Sequence, residues 1–188
     1  MLKAVGIVGS PRKGGNTEIL TAHCLKAIAE EGLATELVKL AGLSIAGCTA
    51  CGYCFENEGC NIEDDFPAIY EKMAGADVLI IGSPVYFSSA PAMVKGLLER
   101  VGFMSGRKGV FAGKVGGPLV VARRAGQNYT FTELLLWFHI MQIVNPGSIY
   151  WNVAFGREKG EVQNDQEGMN IAWHFGKNVA RVAKKLRG

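Results

Sequence analysis

Short, nearly unbroken apolar runs alternate along this chain with stretches in which apolar residues recur every three or four positions. KAVGIVG (3–9) reads as a buried strand. Ile19, Leu20, His23, Cys24, Ala27 and Ile28 then mark one face of a helix over 17–31. ATELVKL (34–40) alternates like a second strand, and DVLIIGS (77–83) and GPLVVA (117–122) are strongly apolar strand candidates. Helices are expected over Phe66–Ala74, Ala92–Val101 and 131–142, and in a last segment with Ala172, Phe175, Val179, Val182 and Leu186 at helical spacing. A fifth strand is expected within IVNPGSIYW (143–151), interrupted by Pro146. Apolar strands each followed by a helix predict a parallel sheet covered on both faces. No repeat or domain-scale linker breaks the pattern, so residues 1–188 are expected to form a single domain. The Gly-rich stretch 102–117 is the one long irregular segment: a lid, an oligomer contact or a plain loop.

Composition agrees with that picture and excludes some partners. Hydrophobic residues make up 48% and charged residues 20%, the balance of a globular fold. Twenty Lys and Arg against 17 Asp and Glu leave +3, too little to indicate nucleic acid. Lys177, Arg181, Lys184, Lys185 and Arg187 read as the solvated face of the last helix. MLKAVGIVGS reads as a first strand rather than a signal peptide, and no apolar run nears the roughly 20 residues of a membrane span. The expectation is a soluble, cytoplasmic protein with no membrane partner.

The loops that follow the strands carry the chemistry. GSPRKGGNT (9–17) joins the first strand to the first helix, where free amides and the helix dipole favour an anion. Ser10 and Thr17 offer hydroxyls, Asn16 an amide and Arg12 a bidentate cation, while Gly14 and Gly15 permit close approach. The loop lacks the Lys-Ser/Thr of a Walker A motif and the spacing of GxGxxG. It reads as a monophosphate cradle, for which FMN is the usual ligand on a five-stranded doubly wound sheet. The plainer reading is a glycine-rich turn with an Asn or Thr helix cap. GSPVYFSSAP (82–91) lies at the same sheet edge. Its Pro84, Val85, Tyr86 and Phe87 suit a flat heterocycle, or are packing residues at a strand end. In ARRAGQNYT (122–130), Arg123 or Arg124 near a flavin pyrimidine edge would favour the reduced, anionic ring; the alternative is surface arginines.

Of five cysteines, Cys24 falls on the apolar helical face and reads as a core residue. Cys48, Cys51, Cys54 and Cys60 form C-x2-C-x2-C-x5-C in a segment that also holds Gly47, Gly52 and Gly59. Disulfides are uncommon in a reducing cytosol, so metal binding or redox chemistry is the expectation. Four soft thiolates suit a [4Fe–4S] cube, with structural zinc, a Cys51–Cys54 dithiol switch and cysteines that hold no cluster as the rivals. Glu56, Glu58 and Glu63 add negative charge that should lower a cluster's potential, and Asp64 or Asp65 is the expected cap of the next helix, with Pro67 in its first turn.

Through GSPRKGGNT and GSPVYF the chain resembles the NAD(P)H-dependent FMN reductase superfamily, and through its cysteine spacing the iron–sulfur flavoproteins within it. The resemblance implies a flavodoxin-like, doubly wound, five-stranded parallel sheet in a three-layer α/β/α arrangement, with a cysteine insertion at 47–61. It implies FMN phosphate on the loop from Ser10 to Thr17, the ring against Pro84–Phe87, and a [4Fe–4S] cluster on the four cysteines. It also implies a homodimer or homotetramer that passes electrons between a donor such as ferredoxin and an acceptor protein or small molecule. The alternatives are an NAD(P)H-dependent FMN or quinone reductase without a cluster, a non-enzymatic electron carrier like flavodoxin, and a redox-sensing regulator whose cysteines change state while the flavin stays idle. No catalytic acid or base is assigned.

Overall fold

In a computed structural model that describes residues 1–105 and 108–187, five strands form one parallel sheet. They are β1 (Lys3–Val8), β2 (Ala34–Lys39), β3 (Val78–Pro84), β4 (Val115–Ala122) and β5 (Val153–Phe155), in the order β2-β1-β3-β4-β5. The register sets Val5 beside Glu36 and Leu79, Ile81 beside Pro118, and Val121 beside Ala154. The helices are α1 (Asn16–Glu30), α2 (Tyr53–Glu56), α3 (Phe66–Ala74), α4 (Ala92–Ser105), α5 (Gln127–Ile140) and α6 (Gln166–Arg187). This is the flavodoxin-like order, in which ligands sit beyond the carboxyl ends of β1 and β3, where the winding reverses.

Period-two alternation sorts the strand side chains into two cores. Val5, Ile7, Leu79, Ile81 and Val120 pack with Phe66, Met73, Val94, Leu97 and Phe138 of α3, α4 and α5. Ala4, Val78, Ile80, Leu119 and Val121 pack with Leu20, Cys24, Ile28, Phe175 and Val179 of α1 and α6. Each large buried side chain contributes about 1.5–3 kcal/mol of transfer free energy. Cys24 is the expected core residue: it is fully buried, and burial alone pushes its thiol well above the ordinary range. At Gly82 a Cβ would lie 2.0 Å from the Thr21 hydroxyl. The missing side chain lets α1 lie directly on β3, which brings the start of α1 beside the end of β3.

The fifth strand is displaced from its expected place. Val144 makes a single bridge to Val115, after which Pro146, lacking an N–H, and left-handed Gly147 turn the chain away. Asn145 Oδ1 accepts the Gly147 N–H at 2.8 Å to close that turn. Pairing resumes only at Val153. Helix α5 begins at Gln127, ahead of the expected 131, and α4 continues to Ser105, so the irregular stretch is shorter than 102–117; Gly106 and Arg107 lie outside the described residues. The basic end of α6 is largely paired within the chain: Lys177 with Glu30 and Glu31, Lys184 with Glu31, and Arg187 with Asp77. Among the described residues no helix is long and apolar enough to cross a membrane.

Candidate functional site

A cleft of about 380 Å³ opens at the carboxyl edge of the sheet, within the size range of ligand pockets. Its walls bring together Ser10, Arg12, Asn16 and Thr17 from the first loop, Pro84, Val85 and Tyr86 from the third, and Arg123 from the fourth. Gly14, Gly15, Phe87 and Arg124 are not among its lining residues. Arg12 and Arg123 enter it with no carboxylate partner among the described residues. Two unpaired guanidiniums beside a helix start are what a phosphate-bearing ligand needs.

The first loop differs in detail from the expectation. The residue before α1 is Gly15, in extended conformation, and no side chain caps the helix; neither Asn16 nor Thr17 is the cap. Both are instead the first helical residues. The Gly14 N–H is taken by Glu18 Oε2 at 2.7 Å, and the hydrogen bond from Lys39 holds that carboxyl below its usual range. Asn16 is committed elsewhere. Its Oδ1 accepts the Gly160 and Val162 N–H groups at 2.8 and 3.4 Å, and its Nδ2 donates to the Glu158 carbonyl at 2.8 Å. That clamp brings Gly156, Arg157 and Glu158 into the cleft wall. Sequence reasoning missed this segment because it follows β5, the strand it had placed too early.

The ring-side loop is a tight turn. Tyr86 and Ser89 exchange backbone hydrogen bonds of 2.9 and 3.0 Å around Phe87 and Ser88, which both adopt left-handed φ, 50° and 63°. Two left-handed central residues define a type I′ turn, a conformation that Asn and Gly prefer and Phe adopts at a cost. Phe87 points wholly into solvent, while Tyr86 stays half-exposed at the cleft. Gly126, at φ 85°, touches this turn: a Cβ there would lie 2.7 Å from Ser88 Oγ. From α5, Glu133 accepts the Ser89 hydroxyl, the Ala90 N–H and the Lys95 ammonium, pinning the turn. Burial pushes the Glu133 carboxyl up, but those donors outweigh it and hold it below the ordinary range.

The four clustered cysteines line a second, small and largely apolar pocket, with Tyr53, Phe55, Arg100, Phe103 and Met104 among its other walls. Left-handed Ala50 (φ 54°) and Gly52 (φ 76°) fold the backbone around it, and the one-turn helix α2 carries Cys54. Ala50 N–H points at Cys48 Sγ at 3.4 Å, and a hydrogen bond from Tyr53 N–H holds the Cys51 thiol below its ordinary range. N–H groups aimed at sulfur favour thiolates. Among the described residues no three His, Cys, Asp or Glu side chains converge on a point as ligands of one metal ion.

A buried clasp closes this segment. Arg100 of α4 donates to Asp64 Oδ2, to the Ala46 carbonyl at 3.4 Å and to the Ile62 carbonyl at 3.3 Å, so it grips both ends of the cysteine loop. Asp64 also takes the Ala46 N–H at 2.9 Å and, through Oδ1, the Phe66 N–H at 3.1 Å. Asp65 is the residue preceding α3, but its carboxylate turns back to the Ser44 N–H. The effective cap is therefore Asp64, with Pro67 in the first turn as expected. Arg100 has one sequence signal, a cation at a position otherwise reserved for apolar residues of α4, between buried Leu97 and Val101.

A family model described as NADPH-dependent FMN reductase matches residues 2–158. An iron–sulfur flavoprotein of Methanocaldococcus jannaschii is 38% identical over 198 residues, covering 99% of this chain and 100% of that one. One from Methanosarcina thermophila is 36% identical over 193 residues, with 98% and 93% covered. Among solved structures, RosB with a bound riboflavin-phosphate intermediate superposes with a TM-score of 0.82 at 20% identity, covering all of this chain and 81% of that one.

Proposed function

From the premise that this chain belongs to the NADPH-dependent FMN reductase family, in its iron–sulfur flavoprotein branch, we propose that it is an oxidoreductase holding FMN in the carboxyl-edge cleft and a [4Fe–4S] cluster in the cysteine pocket. The observation that carries this reading is that all four clustered cysteines line one small apolar pocket, apart from the cleft. A zinc ion would draw its thiolates to about 2.3 Å from a single centre. An iron–sulfur cube takes one thiolate at each of four separate irons, which a C-x2-C-x2-C-x5-C segment lining one pocket can supply. Bound FMN supplies one- and two-electron chemistry, and the cluster supplies one electron at a time.

The residues of the chain bind, orient and shield. Arg12 and the first-turn amides of α1 hold the phosphate, with Ser10 and Thr17 beside them. Pro84, Val85 and Tyr86 support the ring, and Arg123 sets positive charge near it. Glu133 fixes the ring turn, and Asn16 closes the 156–162 segment over the phosphate end. Replacing Arg12 with Ala should weaken FMN binding roughly 10- to 100-fold, because a hydrogen-bonded charge pair is worth about 1.5–3 kcal/mol. Quenching of FMN fluorescence on titration with apoprotein measures this; an unchanged affinity would remove Arg12 from the site.

An apolar groove of about 560 Å³ between α4 and α5 shares Phe55 and Phe103 with the cysteine pocket. It supports assembly into a homodimer or homotetramer in which electrons cross a subunit contact. A redox protein such as ferredoxin is the proposed donor. The deciding experiment is an absorbance spectrum of protein purified without oxygen, with iron, sulfide, zinc and FMN assayed on the same sample. About four iron and four sulfide per FMN are expected. FMN alone, or FMN with one zinc and rapid bleaching by NADPH, would replace this reading with a hydride-driven reductase.

A further inference from the structure

The side chain of Arg100 is almost wholly buried, and Asp64 is its ion-pair partner. Its guanidinium stacks 4.0 Å above the Phe66 ring, which fixes its plane. Two of its three nitrogens are used on Asp64, Ala46 and Ile62; the third, Nε, is buried with no hydrogen-bond acceptor. Arg100 and Cys60 both line the cysteine pocket, and Asp64 does not. Arg100 thus belongs both to the wall of the cysteine pocket and to a buried ion pair whose carboxylate lies outside that wall. A guanidinium is not deprotonated in proteins, so Arg100 carries a fixed positive charge at the pocket wall.

From that geometry we infer that Arg100 is a positioning residue whose fixed charge makes the group held by the four cysteines easier to reduce. The inference rests on the cluster reading given above. Reduction brings in one electron from the donor, forms and breaks no bond, and leaves the site one unit more negative. A buried cation at the wall stabilises that added charge with little screening, because its side chain is almost wholly shut off from solvent. The carboxylates of Glu56, Glu58 and Glu63 act the other way, but all three are exposed and solvent-screened. Glu99 accepts the Cys48 N–H at 3.3 Å, and it too is exposed. On sequence alone the segment's acidity lowers the potential; the buried arginine acts against it.

The test is an anaerobic redox titration of the loaded protein, followed by electron paramagnetic resonance, on wild type and three variants. Arg100→Gln should lower the one-electron reduction equilibrium constant by about tenfold, equivalent to about 59 mV. Arg100→Lys keeps the charge and should stay close to wild type. Asp64→Asn removes the counter-ion while keeping an acceptor, and should shift the potential upward. A purely structural role would not produce opposite signs at Arg100 and Asp64. Arg100→Gln no lower than Arg100→Lys, or Asp64→Asn at or below wild type, overturns the inference. If Arg100→Gln fails to hold iron, the direction of Asp64→Asn decides alone. Wild type without iron and sulfide would overturn the cluster reading and this inference with it, whereas a loaded wild type with unshifted variants overturns this inference only.

Discussion

Cys54→Ser protein, purified without oxygen, is expected to lose most of its iron and sulfide and to keep its FMN. Cys54 sits on the one-turn helix α2 and packs partly against the α3–α5 core, so its sulfur is held at the pocket wall by the fold. A serine hydroxyl is a harder and far less acidic ligand, poorly matched to iron–sulfide chemistry. FMN should remain because no residue lining the cleft also lines the cysteine pocket. Cys24→Ala is the control: that side chain lies between α1 and α6, and its loss should leave the iron content intact. Metal analysis and the flavin absorbance of one preparation read both outcomes. Iron retained in Cys54→Ser would take that thiol out of the ligand set, and FMN lost with the iron would show that the two sites are not independent.

Asp64→Ala should lower the stability of the iron-free protein by about 3–5 kcal/mol, the usual cost of leaving a buried charge without its partner. It strands the Arg100 guanidinium and releases the Ala46 and Phe66 N–H groups together. The same pair gives a pH signature. Burial raises the Asp64 pKa, but bonds from Arg100, Ala46 and Phe66 outweigh it, so the net shift is downward. A carboxylate depressed on folding stabilises fully above its unfolded value of about 3.9 and loses that contribution as pH falls through its folded value. The wild type should therefore lose stability more steeply than Asp64→Ala on acidification below about pH 4. Urea midpoints across that range measure both effects. Equal midpoints at neutral pH would mean that the clasp does not hold the loop.

The strands β1, β3 and β4 were legible because a parallel sheet buried on both faces demands unbroken apolar runs, and those runs can be read along the chain. The helix over Phe66–Ala74 and the core role of Cys24 followed from local spacing in the same way. β5 was not legible at 153–155. A three-residue edge strand carries little pattern, and the preceding apolar residues around Pro146 mimic one.

The candidate sites divide along the same line. The four-cysteine segment, Arg12, Ser10 and the Pro84–Tyr86 loop declare themselves in sequence, because their chemistry depends on residue type and short-range spacing. Tertiary structure decided how those groups are used. It committed Asn16 to a segment more than a hundred residues away, turned Phe87 out to solvent, and brought Gly156–Glu158 to the cleft. It also set Arg100 against the cysteines from a helix some forty residues further on. Local spacing fixes what a segment can bind, whereas the charge and the walls around it depend on long-range packing that only the folded chain supplies.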